Sequence, residues 1–245
     1  MGMAEANGHD PHADGRADEP QDSSPTGHAA PDWSDIRDVR VLHALEVVPR
    51  AAFVPYHLRR WAMRDAPLPI GCKQTISQPY IVAKMTQALN LAPGESVLEI
   101  GTGSGFQTAI LCELTAVAGR TKGEGVYSLE RYSSLAQKAE ARLQRLSYFP
   151  AVLWGDGARG WPEARQFDAI MVTAAPKALP RPLWHQLREG GRMVIPIGGD
   201  AEMQLLWLLR KVGERVVGSR LGAVRFVPLI SPILDDPAQC VALDG

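Results

Sequence analysis

Between residues 96 and 230, short apolar runs alternate with segments in which apolar residues recur every three or four positions. Apolar runs are typical of buried strands, and the longer spacing is typical of helices with one buried face. The pattern predicts strands at 96–100, 125–129, 151–154, 167–173, 193–197, 203–212 and 221–229, with the last two forming an edge hairpin. It predicts helices at 106–117, 132–146 and 179–188, the last ended by Gly190 and Gly191. Such alternation gives a mostly parallel sheet with helices on both faces.

Two further helices are predicted before the first of these strands. One begins at Ser34 or Asp35 and ends at Val48, and its predicted buried stripe consists of Ile36, Val39, Leu42 and Leu45. The other begins at Pro79, and its apolar face consists of Ile81, Val82, Met85, Ala88 and Leu89. The segment 50–69, with three prolines and four arginines, is predicted to be irregular. The sequence therefore predicts one doubly wound α/β domain of about seven strands with an N-terminal helical cap.

The charge is unevenly distributed along the 245 residues. Residues 1–35 carry eight acidic residues and one basic residue, whereas the other 210 carry 25 basic and 19 acidic residues. A net charge of −1 therefore hides an acidic N-terminal segment and a mildly basic remainder. The N-terminal segment has few large apolar residues, so we expect a disordered tail at 1–34. We expect the folded domain at 35–235 and a C-terminal tail at 236–245.

Composition also narrows the class of protein. No apolar run approaches the length of about 18 residues that a transmembrane helix needs, and the first thirty residues lack the pattern of a secretory signal. The three cysteines, Cys72, Cys112 and Cys240, are far apart and are expected to be free thiols in the cytoplasm. We expect a monomer that has no metal site and that binds neither nucleic acid nor membrane.

The strongest local motif is a glycine loop that follows the strand 96–100 and precedes a helix. It reads Glu99-Ile-Gly101-Thr102-Gly103-Ser104-Gly105. Glycines in such a turn allow a ligand to approach the backbone closely, at the edge where open α/β sheets bind ligands. The spacing G-x-G-x-G differs from the G-x-G-x-x-G of nicotinamide-dependent oxidoreductases, which makes that class the weakest alternative.

Acidic residues follow the strands on either side of the loop. Glu130 ends the second strand, where it can accept hydrogen bonds from ribose hydroxyls, and Asp156 ends the third, within reach of an adenine amino group. Together with Glu99 they would repel a pyrophosphate but suit S-adenosylmethionine, which carries adenosine, an amino acid tail and a sulfonium cation. The alternative is that each acid caps a helix or lies on the surface.

Four segments, in the same order along the chain, resemble those of protein-L-isoaspartate O-methyltransferases. They are LPIGCKQTISQPY at 68–80, VLEIGTGSGFQTAIL at 97–111, FDAIMVTAAP at 167–176 and RFVPL at 225–229. The likeness runs from about residue 35 to residue 230, and QTISQP is its most specific part. It implies a Rossmann-like methyltransferase fold. It also implies methyl transfer from S-adenosylmethionine to the α-carboxylate of L-isoaspartyl residues in damaged proteins and peptides, after which the ester closes to a succinimide that returns partly to aspartate.

The resemblance also implies roles for individual residues. Ser77 would be the active-site residue that aims the substrate carboxylate. The substrate would further contact Thr173, Ala174, Ala175 and Arg225. The cofactor would be held by Gln74, Thr75, Ile76, Glu99, Gly101, Thr102, Gly103, Ser104, Gly105, Glu130, Asp156, Gly157 and Thr173.

Two questions remain open at the level of sequence. Ser77 lies two residues before Pro79 and could simply cap the helix that begins there. The same fold could also esterify the aspartates of a dedicated peptide substrate, or serve as a damage-binding module without turnover. The intact glycine loop, acids and QTIS segment speak against the last of these.

Overall fold

The computed structural model describes residues 33–199, 203–213 and 215–241. The strands are β1 (Leu68–Gly71), β2 (Gln74–Ile76), β3 (Val97–Ile100), β4 (Val126–Glu130), β5 (Ala151–Trp154), β6 (Phe167–Val172), β7 (Leu179–Pro180), β8 (Leu187–Ile197), β9 (Gln204–Val212), β10 (Arg215–Val224) and β11 (Cys240–Val241). The α-helices are α1 (Val39–Val47), α2 (Pro79–Leu89), α3 (Phe106–Thr115), α4 (Ser133–Arg145) and α5 (Arg181–Gln186). Among the described residues, no helix is long and apolar enough to cross a membrane.

Seven strands form the central sheet, in the order β10-β9-β8-β6-β3-β4-β5. The pairs from β8 to β5 are parallel, and β9 and β10 add an antiparallel hairpin at one edge. This confirms the predicted mostly parallel sheet and the edge hairpin. The strand order reverses at β3, which has β4 on one side and β6 on the other. Its carboxyl end is therefore the switch point at which such sheets bind ligands.

The sheet separates two hydrophobic cores. Successive residues of β6 point to opposite faces, so Ala169 and Met171 enter one core, whereas Ile170 and Val172 enter the other. The first core is closed by α1, α2 and α3, and the second includes Leu183 of α5. Helices therefore cover both faces, as the sequence predicts.

The first predicted helix is wrong at its start. The helix α1 begins at Val39, and Asp38 caps it by accepting a hydrogen bond from Arg40 N, while Trp33–Asp35 forms a short 3-10 turn. The amides of Arg37 and Asp38 donate to Gln87 Oε1 of α2, which holds this segment out of the helix. The predicted stripe holds at Ile36, Leu42 and Leu45, which are buried or pack against the core, but not at Val39, which is 73% exposed.

The C-terminal third differs from the prediction in three places. The helix α5 spans only six residues, and Gly190 and Gly191 lie inside β8 rather than ending a helix. The strand β10 spans Arg215–Val224, so the predicted strand 221–229 is correct only at 221–224, because Arg215 already pairs with Val212. Residues 225–229, which the sequence pattern places in the edge strand, lie outside it. Residues 236–241, predicted as a tail, include β11, which pairs with β7. The predicted acidic tail lies outside the described residues, except for Trp33 and Ser34.

A small hairpin, β1–β2, begins at the end of the segment 50–69, which was predicted to be irregular, and extends past it to Ile76. Its turn places Cys72 and Lys73 in left-handed backbone conformations, with φ of +52° and +57°. Hairpin turns with two positive φ values usually carry Asn-Gly or Asp-Gly, so Cys-Lys gave no turn signal. The rest of the segment contains 3-10 turns at Arg50–Phe53 and Tyr56–Trp61.

Candidate active site

The glycine loop after β3 is shaped by positive backbone angles. Gly101, Gly103 and Gly105 have φ of +99°, +55° and +90°. A Cβ added at Gly101 would lie 2.3 Å from Thr173 Oγ1, which donates to the carbonyls of Ile100 and Gly101. The end of β6 therefore fixes the loop after β3, and a side chain at Gly101 would break that contact.

The acid that ends β4 is tied to the same loop. Glu130 is only 5% exposed, and its Oε2 accepts a hydrogen bond from Gly103 N at 2.8 Å. Its Oε1 accepts from Tyr132 N at 2.9 Å, at the start of α4. The carboxylate thus joins two strand ends and still borders the open space between them.

The first cavity occupies the carboxyl ends of β3, β4 and β6. It has an empty volume of about 620 Å³, which includes its opening to solvent. Its lining residues are Gln74, Thr75, Ile100, Gly101, Gly103, Leu129, Glu130, Arg131, Tyr132, Gly157, Thr173, Ala174, Val227, Pro228, Leu229 and Ile230. The lining is largely apolar around one carboxylate.

A second cavity, with an empty volume of about 810 Å³, adjoins the first. It is lined by Pro67, Thr75, Ser77, Gln78, Ile81, Thr173, Met203, Ala223, Val224, Arg225, Phe226 and Val227. Thr75 and Thr173 border both cavities, so the two spaces meet between them. A smaller space beneath the junction is bordered by Ile76, Ser77, Thr102 and Ser104. Two neighbouring compartments suit a reaction between two bound molecules.

Ser77 does not cap the helix that follows it. The cap position belongs to Gln78, which makes no side-chain cap bond, and the Tyr80 amide instead donates to Asp65 Oδ1 at 2.9 Å. Within the described part of the chain, the Ser77 hydroxyl has no hydrogen-bond partner, and the residue borders the second cavity. The capping interpretation is therefore wrong.

Glu99 lies beneath the loop rather than in the first cavity. It is fully buried, and its Oε2 accepts hydrogen bonds from Thr108 and Ser128, each at 2.6 Å. Ser128 also bonds the hydroxyl of Thr102 at 2.6 Å. Burial raises the pKa of Glu99 to about 8, against the effect of its two hydroxyl partners. Glu99 lies within β3, and its side chain points into the core. The predicted direct contact between Glu99 and the cofactor therefore does not fit the structure.

Gly105 and Ala175 also border neither cavity, whereas Asp156 borders a depression beside the first one. Gly105 borders neither cavity, and a Cβ there would meet Leu143 of α4 at 3.3 Å, so this glycine serves helix packing. Ala175 is buried and pairs through its backbone with Val227 and Leu229. Asp156 borders a shallow depression beside the first cavity, with Oδ1 accepting from Ala158 N and Oδ2 from Ser231 Oγ at 2.6 Å.

Sequence reasoning missed the residues that close the first cavity. Residues 225–231 are here called the covering segment, because residues 227–230 line this cavity. The segment is held by Ala175, by Asp156 and by Arg131, whose Nη1 donates to Ile230 O at 2.8 Å. The signal is present in the RFVPL motif, but the sequence pattern places 225–229 in a strand of the edge hairpin. Leu129 and Tyr132 flank Glu130 and were also missed.

The chain matches the family model for Protein-L-isoaspartate(D-aspartate) O-methyltransferase (PCMT) over residues 33–233. The chain belongs to this family. Among protein-L-isoaspartate O-methyltransferases, one from Methylorubrum populi is 48% identical over 195 residues, covering 80% of this chain and 88% of the relative. Protein-L-isoaspartate O-methyltransferase 1 from Syntrophobacter fumaroxidans is 50% identical over 196 residues, covering 80% and 87%.

A solved structure of the family supports the fold. The Plasmodium falciparum protein, crystallised in complex with S-adenosyl-L-homocysteine, is 26% identical with a TM-score of 0.69. The match covers 80% of this chain and 92% of that one. The Rossmann-like methyltransferase fold and the activity of a protein-L-isoaspartate O-methyltransferase are thus those of the family.

Proposed function

We propose that this enzyme holds S-adenosylmethionine in the first cavity and the L-isoaspartyl residue of a damaged protein in the second. The observation that carries this assignment is the meeting of the two cavities between Thr75 and Thr173, beside a free Ser77 hydroxyl. Methyl transfer needs the acceptor oxygen and the donor in line, and two adjoining compartments can impose that geometry.

The residues of the first cavity fit the cofactor. Among the described residues that border it, the only cationic side chain is Arg131, which already donates to a backbone carbonyl. The site therefore offers a pyrophosphate little positive side-chain charge, and the Glu130 carboxylate would repel it, whereas this carboxylate can accept hydrogen bonds from ribose hydroxyls. In this proposal Gln74, Thr75, Gly101 and Gly103 border the amino acid part.

The adenine end of the cofactor would lie by Gly157 and Asp156. A carboxylate has about four acceptor positions, so the two hydrogen bonds of Asp156 and its ion pair with Arg159 leave capacity for one adenine amino group. Ile76, Thr102 and Ser104 border the smaller space under the glycine loop, and in this proposal they support the loop against the bound cofactor.

The reaction asks little of the protein's side chains as acids or bases. The acceptor carboxylate is already ionised at neutral pH, so no base must remove a proton. S-adenosylmethionine supplies an electrophilic methyl group on its sulfonium when bound. Ser77 would donate one hydrogen bond to the carboxylate, and Arg225, at the rim of the second cavity, would attract a peptide carboxylate. Thr173 and Ala174 would border the point of transfer.

The ester product explains the biological outcome. It closes spontaneously to a succinimide, whose hydrolysis returns part of the material to normal aspartate. Repair therefore requires the enzyme only for the methylation step.

The test is a methyl-transfer assay with two peptides that differ only in isoaspartate against aspartate. Ser77→Ala should lower transfer to the isoaspartyl peptide by about tenfold or more, since orientation supplies much of the rate. Cofactor affinity measured by calorimetry should change little, and the exposed Ser219→Ala serves as the control. Wild-type turnover in Ser77→Ala would overturn the role of Ser77. Transfer to the aspartyl peptide alone would instead favour a dedicated modifying enzyme.

We further propose that the enzyme acts as a monomer in the cytoplasm, without nucleic acid or membrane partners. Its three free thiols, with Cys72 exposed, are typical of a reducing compartment and support this proposal. Light scattering of the purified protein would test the oligomeric state.

A further inference from the structure

A buried arginine lies behind the turn that carries Ser77. Arg50 is 5% exposed, and its Nη2 donates to the carbonyl of Ser77 at 2.9 Å and to that of Ala66 at 3.1 Å. Its Nη1 donates to the carbonyl of Ala62. One guanidinium thus joins Ser77 to the segment that precedes β1, through a planar group whose donors have fixed directions.

An aspartate holds the other side of the same turn. Asp65 Oδ1 accepts from Tyr80 N at 2.9 Å, and its Oδ2 accepts from Gln78 Nε2 at 3.1 Å. Oδ2 also accepts from Trp33 Nε1 at 3.3 Å. Asp65 therefore satisfies an unpaired amide in the first turn of α2, which a serine placed just before a helix usually satisfies itself.

Because Arg50 and Asp65 bind the backbone around Ser77, the Ser77 hydroxyl is left free to bind another group. Arg50 fixes the Ser77 carbonyl, and Asp65 fixes the next turn of chain at Gln78 and Tyr80. Because the helix cap comes from Asp65, the Ser77 side chain is not drawn into its own helix. Ser77 instead borders the second cavity, where the substrate carboxylate is proposed to bind.

We propose that Arg50 and Asp65 are positioning residues for methyl transfer, which hold the Ser77 turn and keep its hydroxyl free for the substrate. This inference rests on the proposed function. Neither residue borders the first or second cavity among the lining residues described, so both act through Ser77. Arg50 also lies 5.9 Å from the ring of Phe106, the first residue of α3, which connects the Ser77 turn to the end of the glycine loop.

Asp65→Ala tests the proposal most directly. Without Asp65, the Tyr80 amide loses its acceptor. The Ser77 hydroxyl, three residues before Tyr80, should then turn toward that amide and away from the cavity. The kcat for an isoaspartyl peptide should fall by about tenfold or more, while the dissociation constant of S-adenosylhomocysteine changes by less than about threefold. Asp65→Asn keeps an oxygen for the Tyr80 amide and should retain most of the kcat.

Asp35→Ala is the matched control. Asp35 also contacts Tyr80, but through the ring hydroxyl at 2.9 Å and not through the backbone of the turn. Its loss should leave kcat within about twofold of the wild type. Arg50→Lys, which keeps the charge but loses the planar fork, should lower kcat without changing cofactor affinity.

The outcomes separate the positioning role from the proposed function. If wild-type enzyme failed to methylate the isoaspartyl peptide, both would be overturned. If the wild type is active and folded Asp65→Ala and Arg50→Lys retain full kcat, the positioning role alone is overturned. Equal losses in Asp65→Ala and Asp65→Asn would also overturn it, because Asn still supplies the cap. If Asp65→Ala does not fold, Arg50→Lys decides, and a kcat equal to that of Asp35→Ala overturns the positioning role.

Discussion

Glu130 Oε2 accepts a hydrogen bond of 2.8 Å from Gly103 N. The acid that ends β4 thus holds the glycine loop that follows β3, and these two strands are neighbours in the sheet. One carboxylate therefore both shapes the loop and borders the first cavity. Its removal should affect the cofactor through both roles.

Glu130→Ala should weaken binding of S-adenosylhomocysteine by about tenfold to a hundredfold, since hydrogen bonds to charged groups contribute about 1.5–3 kcal/mol. Isothermal titration calorimetry measures this directly. The exposed Glu140→Gln on α4 is the control for loss of an acidic charge. Unchanged affinity in Glu130→Ala would contradict its place in the cofactor site.

Gly101→Ala should damage both folding and binding. The new Cβ would lie 2.3 Å from Thr173 Oγ1 at a φ of +99°. Gly190→Ala pays a similar backbone cost at φ +71° but meets nothing within 4 Å. Positive φ alone costs about 1–2 kcal/mol, so Gly101→Ala should lose more unfolding free energy than Gly190→Ala in urea titrations. Equal losses would show that the Thr173 contact is unimportant.

Glu99→Gln should remove a pH dependence of stability. In the folded protein the pKa of Glu99 is raised from 4.5 to about 8 by burial, so between these values the folded state keeps a proton that the unfolded state releases. The free energy of unfolding should therefore fall as pH rises through this range, and level off above it. Gln mimics the protonated form and should flatten this part of the curve. Denaturant titrations at intervals of about one pH unit from pH 5 to 9 would measure this dependence. If the free energy of unfolding changed equally with pH in both proteins, the prediction would be refuted.

Ser231→Ala tests the tie between the covering segment and Asp156. The Ser231 hydroxyl donates to Asp156 Oδ2 at 2.6 Å, so its loss should loosen the segment over the first cavity. Dissociation of S-adenosylhomocysteine, followed by stopped-flow methods, should accelerate about threefold to tenfold, the effect of losing roughly 1 kcal/mol. Asp156→Ala should have a larger effect, because it also removes the proposed adenine contact. If Ser231→Ala releases the ligand at the wild-type rate, the segment is held by its other contacts.

The sheet could be predicted from the sequence because each of its parallel strands is marked by a local run of apolar residues. Runs such as FDAIMVT are buried on both faces, and every predicted strand up to β8 was found in place. The segments that failed depend on distant partners instead. Gln87 of α2 delays the start of α1, and the Val212–Arg215 pairing fixes where β10 begins and ends.

The site was predictable in outline and less so in its contacts. Spacing and resemblance brought Ser77, Gly101, Glu130 and Thr173 together around the two cavities, as the structure has them. Glu99 shows the limit, because an acid two residues before the glycine loop still belongs to the strand and points into the core. A sequence pattern gives order along the chain, whereas the direction of a side chain depends on the strand's register.

The covering segment has a consequence for the order in which the enzyme becomes active during synthesis. Residues 227–230 of the covering segment line a cavity that is otherwise bordered mainly by residues that follow β3, β4 and β6. When β6 has just emerged from the ribosome, the emerged chain contains Ser77, the glycine loop, and the strands β4 and β6 that neighbour β3. It does not yet contain the covering segment. Domains can begin to fold from the N-terminus while translation continues. The parallel strands can therefore assemble early, and tight retention of the cofactor should arise only when the last part of the domain emerges.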